Sequence, residues 1–323
     1  MTNSTDDAAA TETGRPGLLR VEAPSDIPLA RHVAEHRAEL ESALLRHGAV
    51  LLRGFAEADS DHLSEVVRAF SGEPLAYGER SSPRSEVSTG VYTSTDYPAQ
   101  HAIQMHNESS YTNTWPLHLY FLCQQPPAEG GETPIADSRA LLATLSDRTR
   151  ELFRERGWMY VRNIGGGLGL SVRDVFQTED MTEIEAYCRR NGIQVTRVDD
   201  DRLRLSARRD AIRTHPRSGA EVWFNHISFF NVFSMDEEIR TGLLELYGEN
   251  FLPTHTYFGD GSPIPAEVIA EILDAYRRNS IVFPWQRGDL LIVDNMLMSH
   301  GRRPYRGARQ IRVSMAQPVH RDR

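Results

Sequence analysis

Gln104-Met-His106-Asn-Glu108 and, far downstream, Asp294-Asn-Met-Leu-Met-Ser-His300 hold the residue types in this chain best suited to metal chemistry. Two imidazoles and one carboxylate can bind Fe(II) on one face of an octahedron and leave the opposite face open. Open positions are what a protein needs if a co-substrate and O2 are to share the ion. A His-x-acid pair alone carries little weight. With 12 His and 45 Asp+Glu in 323 residues, chance gives between one and two such pairs, and the chain has two. His320/Asp322 lies at the chain end and is set aside. His106 and Glu108 read as part of a strand, where side chains at i and i+2 share a face and can reach one ion. A half-buried strand with a structural His and Glu is the competing interpretation. Jelly-roll topology pairs strands remote in sequence, so the long gap to His300 is no obstacle.

Strands from both ends of the chain must converge to position such a set. Residues 30–47 carry Val33, Leu40, Leu44 and Leu45 near a period of 3.6, which predicts an amphipathic helix. Ala49 to Phe55 reads as a buried strand, and a second helix follows Ser60 with Leu63, Val66, Val67 and Phe70 on its apolar side. Residues 72–99 read as strand pieces and loop bordering a site, and residues 116–122 and 133–136 as strands. Asp137 or Ser138 suits the N-cap of a helix carrying Leu141, Leu142 and Leu145. Helices are expected at about 182–190, 236–247 and 265–278, with Pro265 in a first turn. Strand-like runs occupy 158–161, 221–224 and 281–285. A buried strand over 288–294 leads to His300, and 309–316 is the last strand. Residues 165–169, Gly-Gly-Gly-Leu-Gly, read as a mobile loop over the site. The pattern predicts a mainly β, α+β fold, a β sandwich or a jelly roll (double-stranded β-helix). One domain over 18–323 carries a helical insert at about 138–280, behind a polar, disordered tail over 1–17.

Composition excludes several classes. Apolar content of 40% and charged content of 25% are ordinary for a globular chain. A net charge of -9 without a basic stripe argues against a nucleic-acid partner. No apolar run approaches the roughly 18–20 residues of a membrane span, and the N-terminus lacks a signal-peptide core, so a cytoplasmic location is expected. Cys123 and Cys188 read as buried reduced thiols. All 36 Lys+Arg residues are arginine. Without lysine there is no Schiff-base catalysis and no GxxxxGK[ST] phosphate loop. His32, His36, His47 and His62 read as solvated, and His215 and His226 as structural.

In their order, these segments resemble the taurine dioxygenase/TfdA-like superfamily of Fe(II)- and 2-oxoglutarate-dependent oxygenases, nearest its SyrP-like and clavaminate synthase-like branch. The similarity runs from about residue 30 to 318. It comprises AVLLRGF at 49–55, VYTSTDYP at 91–98, HNESSY at 106–111 and PPAEGGETPIADSR at 126–139. THPRSGAEVWFN at 214–225, WQRGDLLIVDNMLMSHGRRPY at 285–305 and the closing ARQIRVSMA complete it. The resemblance implies iron ligands at His106, Glu108 and His300. It implies Thr133 beside the 2-oxoglutarate carboxylate and an arginine downstream of the distal His as its bidentate partner. Arg309 fits that position best and Arg312 competes with it; three apart on a strand, only one should face inward. Arg302, Arg303 and Arg306 read as structural or as residues of an entrance. Related halogenases replace the carboxylate ligand, so Glu108 speaks against halogenation.

The chemistry implied is oxidative decarboxylation of 2-oxoglutarate by O2 to succinate and CO2, coupled to hydroxylation of a C–H bond. The substrate implied is a small amino-acid-like molecule, free or tethered to a carrier protein, in natural-product biosynthesis. Residues 79–98, Asn225 and 162–180 are placed to line its pocket. Desaturation, epoxidation or cyclisation at the same iron is the alternative. A non-catalytic metal-binding jelly roll is the reading from another class. Structural zinc normally takes four protein ligands, and only three are found.

Overall fold

Ala49-Val-Leu-Leu-Arg53 is apolar up to its last residue, and all five residues are buried in one strand. Both faces are covered. Ala49 and Leu51 point into a cluster with Leu119, Phe121, Leu291, Val293 and Val313. Val50 and Leu52 point the other way, onto Leu40, Leu44, Leu63, Val67 and Phe70 of the N-terminal helices. A strand buried on both sides reads as a continuous apolar run. Truncating Leu51 to Ala would cost about 2–5 kcal/mol in such a site.

The computed structural model describes residues 10–11, 17–23, 27–55, 59–75, 86–94, 97–167 and 170–321. Its core is a double-stranded β-helix. One wall is an eight-stranded sheet in the order 10–11, 19–22, 49–53, 290–294, 114–125, 310–320, 91–93 and 86–88. The facing sheet has four strands in the order Ser280–Ile281, Ile135–Asp137, Met298–Arg302 and Ile103–His106. Strands from residues 103–137 and 280–320 thus interleave. Leu290–Asp294 and Met298–Arg302 lie on opposite walls, joined by the Asn295–Leu297 turn.

Between the strands Ile135–Asp137 and Ser280–Ile281 the chain forms helices, and also a four-stranded antiparallel sheet of residues 194–197, 202–209, 158–165 and 254–258. Leu203, Leu205 and Ala207 are buried from one face of Arg202–Arg209, with Arg209 buried at its end, while Arg202, Arg204 and Arg208 alternate outward. Asp137 caps the helix Ser138–Thr144, its carboxylate accepting from the N–H groups of Arg139 and Ala140. Pro265 stands at the N-cap of Ala266–Asn279 rather than in its first turn.

The helix expected over 30–47 is two, Leu29–Glu35 and Arg37–His47, bent at His36. His36 N–H still donates to His32 O, and Leu40 N–H to His36 O, so the ladder continues through the bend. His32 is buried against Phe55 rather than solvated. Within residues 1–17, Ala10–Thr11 pairs as a strand with Leu19–Glu22, and Gly17 is buried. Residues 1–9 and 12–16 lie outside the described residues, as do 76–85, 95–96 and 168–169 among the expected pocket segments.

Candidate metal centre

His106 ends the strand Ile103–His106 and stands directly opposite His300 in the antiparallel pair with Met298–Arg302. Their ring centroids are 4.4 Å apart. His106 Nδ1 lies 2.8 Å from Gln104 O. A carbonyl only accepts, so Nδ1 carries the proton and the Nε2 lone pair is left for a metal. Phe121 and Phe229 pack on these imidazoles, with centroids 5.1 Å from His300 and 4.7 Å from His106.

Glu108 is not positioned by strand alternation, because the strand stops at His106 and Glu108 lies in the following turn. Asn295 holds it there. The Asn295 Oδ1 accepts from Glu108 N–H at 2.7 Å, and its Nδ2 donates to Glu108 O and Pro116 O, each at 2.9 Å. Asn107 donates back to Asn295 O at 2.8 Å. Asn295 also begins the turn that leads to His300, so one side chain ties the 106–108 segment to the distal ligand. Asp294 shapes that turn, its Oδ1 accepting from Met296 and Leu297 N–H at 3.0 Å each. The Asp294 Oδ2 lies 3.0 Å from His215 Nε2. His215 Nδ1 accepts from Ser218 N–H at 3.0 Å, so the proton sits on Nε2 and is donated to Asp294. His215 therefore supports the site from behind. His226 is fully buried beside His106, and burial pushes its imidazole well below the usual range. The Ser110 hydroxyl lies 2.6 Å from its Nδ1.

Ligand atoms of His106, Glu108 and His300 all lie within 4.8 Å of one another, and all three residues are buried. Cis donors about 2.1 Å from an ion stand about 3 Å apart, so small side-chain rotations close the three around one metal. No other His, Cys, Asp or Glu among the described residues joins this group. The donor set fits an octahedral Fe(II) with an open face.

A cavity of about 40 Å³ adjoins the triad, lined by His106, Phe121, Thr133, His300, Arg302 and Arg309. At roughly 10–15 Å³ for each water it holds a few molecules. Arg309 precedes the strand Gln310–His320, whose pairing shifts register between Gln310 and Ile311. Its Nε donates to Gly131 O at 2.9 Å, and its terminal nitrogens reach Ser94 Oγ at 3.3 Å and Thr133 Oγ1 at 3.4 Å. Desolvation, with Arg302 nearby, lowers its pKa to about 10. Thr133 Oγ1 also accepts from Trp285 Nε1 at 3.2 Å. Arg312 is absent from this lining. Its strand neighbours Ile311 and Val313 face the interior, while its own Nε donates to Gln124 Oε1 at 2.6 Å.

Asn225 does not line the cavity. It is buried, Nδ2 donating to Ala211 O at 3.0 Å and Oδ1 accepting from Ile227 N–H at 3.0 Å. Both ends of the amide bond backbone groups. Cys123 and Cys188 are buried, and burial raises the Cys123 thiol to about 12. That leaves it protonated and poorly nucleophilic at neutral pH. Among the described residues, no helix is long and apolar enough to cross a membrane.

This metal-binding jelly roll has known relatives. The model of the family "Taurine catabolism dioxygenase TauD, TfdA family" matches residues 12–315. The dapdiamide synthesis protein DdaC of Enterobacter agglomerans is 38% identical over 309 residues, which is 95% of this chain and 93% of that protein. A clavaminate synthase-like protein of Arabidopsis thaliana is 30% identical over 286 residues, 85% of this chain and 83% of its own. Among solved structures, PvcB, an Fe, alpha-ketoglutarate dependent oxygenase from an isonitrile synthetic pathway, superposes with a TM-score of 0.56. At 17% identity over 99% of this chain and 96% of that one, it speaks to the fold alone. The chain belongs to the TauD/TfdA dioxygenase family. It is a non-haem Fe(II)- and 2-oxoglutarate-dependent oxygenase.

Proposed function

We propose that the enzyme hydroxylates a C–H bond of a small amino-acid-like molecule, free or carrier-tethered, in a natural-product pathway. His106, Glu108 and His300 hold the iron, and Arg309 with Thr133 holds 2-oxoglutarate. One observation carries the assignment: His106 and His300, which group with Glu108 as metal donors, line the same cavity as Arg309 and Thr133. When bound, Fe(II) with 2-oxoglutarate and O2 supplies the oxidising chemistry, releasing succinate and CO2. The residues position and exclude water. Arg309 offers a planar fork matched to a carboxylate, in surroundings dry enough to strengthen the pair. Thr133 fixes that fork from one side. Phe121 and Phe229 fill the space around the imidazoles and keep solvent from it.

The relation to a dapdiamide synthesis protein supports a place in a natural-product pathway. Burial of the triad, with Glu108 2% exposed, supports a reaction shielded from water. A succinate-release screen over free and carrier-bound amino acids, with product mass, tests the reading. Succinate coupled to a hydroxylated product is expected. Succinate coupled to loss of two hydrogens would replace hydroxylation with desaturation, and succinate formed equally by His106→Ala would remove the metal assignment.

A further inference from the structure

Arg309 borders two spaces. Behind it, on the side away from the imidazoles, lies a basin of about 350 Å³ lined by Thr93, Ser94, Tyr97, Tyr305, Arg309 and Arg312 among others. Ser94, Arg309 and Ile311 line both this basin and the metal cavity, so they form the partition between them. Among the described residues, no acidic side chain lines the basin. Arg309 and Arg312 form no ion pair with a carboxylate among the described residues. The Arg312 guanidinium uses Nε on Gln124 and makes no other hydrogen bond there. This concentration of positive charge sits on a chain of net charge -9.

The basin is preformed. Arg302, 5% exposed, donates from its terminal nitrogens to Tyr97 O at 2.9 Å, Pro98 O at 2.7 Å and His101 O at 2.9 Å. Its guanidinium also lies 5.1 Å from the Tyr305 ring centroid. A buried cation thereby fixes the wall that carries Tyr97 and Pro98. The partition is weaker. Two of the three Arg309 hydrogen bonds are 3.3 and 3.4 Å long, so its terminal nitrogens can re-aim at small cost.

We propose that this basin is the entrance for the dicarboxylate co-substrate, with Arg312 drawing it in and Arg309 receiving it into the metal cavity. The inference rests on the reading of Arg309 as the 2-oxoglutarate anchor. Electrostatics favours it. At physiological ionic strength the screening length is about 8 Å, so the distant negative charge of the chain is felt weakly and the local pair of arginines dominates the last approach. A dianion meets one guanidinium at the mouth and a second, drier one at the end. Arg312 is then an access residue, and its charge acts on association more than on residence.

Rapid mixing of the anaerobic Fe(II)-loaded enzyme with 2-oxoglutarate, followed by the visible charge-transfer absorption, tests this. At low salt, Arg312→Gln should slow association about threefold and Arg312→Glu about tenfold, with dissociation changed less than twofold. Arg312→Lys keeps the charge and should associate at nearly the unaltered rate, which separates the charge effect from damage to the strand. The differences should fade in about 1 M salt, where the screening length is about 3 Å. An unchanged association rate in Arg312→Glu overturns the proposal. So does a loss carried by faster dissociation, which would make Arg312 a holder of bound ligand. Arg309→Gln distinguishes the two levels: binding as tight as in the unaltered enzyme removes the anchor reading and this inference with it. Weakened binding there, with Arg312 silent, overturns the entrance alone.

Discussion

The two ends of the reactive cavity are built differently. At the metal end, every ligand-bearing segment is fixed by short hydrogen bonds among buried groups, with Asn295 joining the Glu108 turn to the strand of His300 at 2.7–2.9 Å. At the co-substrate end, Arg309 has one firm bond to Gly131 O and two long ones. The metal end is organised before anything binds. The co-substrate end has bonding capacity in reserve, and a bidentate carboxylate would use it. A resident ion gains from fixed donors, whereas a ligand consumed in each turnover must arrive and leave.

The largest expected effect removes the fixed end altogether. His106→Ala should abolish tight Fe(II) binding and cut succinate release by more than about 10³-fold, beyond the 10–100-fold typical of supporting residues. Arg309→Lys should leave Fe(II) binding intact and weaken 2-oxoglutarate by about 10–100-fold. It replaces a fork with a point charge and loses charge-assisted bonds of about 1.5–3 kcal/mol. A metal titration beside a 2-oxoglutarate titration reads both. If Arg309→Lys weakened the metal as much, the two ends would not be independent.

Asn295→Ala sharpens the contrast. It leaves Glu108 N–H, Glu108 O and Pro116 O without their partner. A stability loss of about 2–4 kcal/mol by denaturant unfolding is expected, with Fe(II) affinity about tenfold or more lower. Full metal affinity in the folded variant would mean that the turn does not position Glu108.

An effect on stability alone, with none expected on metal or co-substrate binding, lies behind the metal end. Burial lowers the His118 imidazole from 6.5 to about 4, with Ser71 Oγ 2.7 Å from its Nδ1. Its folded value is below its unfolded value, so the unfolded chain binds the proton first. Stability should be fully present above about pH 6.5 and decline by about 3 kcal/mol as pH falls toward 4. Unfolding midpoints from pH 7 to 4, with His118→Gln showing the shallower slope, measure it.

Legibility in the sequence followed the same division. The donor types and the long gap between His106 and His300 were readable, because strand pairing across a jelly roll is a topological expectation. The strand geometry expected for Glu108 was wrong in detail. It depends on where a strand stops, and Asn295, which stops it, is remote in sequence. Asp294-Asn295 was visible before His300, but an Asn that bonds its own turn and one that clamps another segment look alike. Spacing alone left Arg309 and Arg312 as competitors; the cavity beside the imidazoles is lined by Arg309 and not by Arg312. The strand Arg202–Arg209 carried a clear alternation of apolar residues and arginine, a period-2 signal that its charge density obscured.

The chemistry depends on one ion held by donors remote from one another in the sequence. Anaerobic titration of the metal-free protein with Fe(II) at saturating 2-oxoglutarate, comparing the unaltered chain with His300→Ala, tests it most directly. One Fe(II) per chain with a visible charge-transfer band in the former, and no band in the latter, is the expected result. A band of full intensity with residue 300 altered, or no band in the unaltered chain, would contradict it.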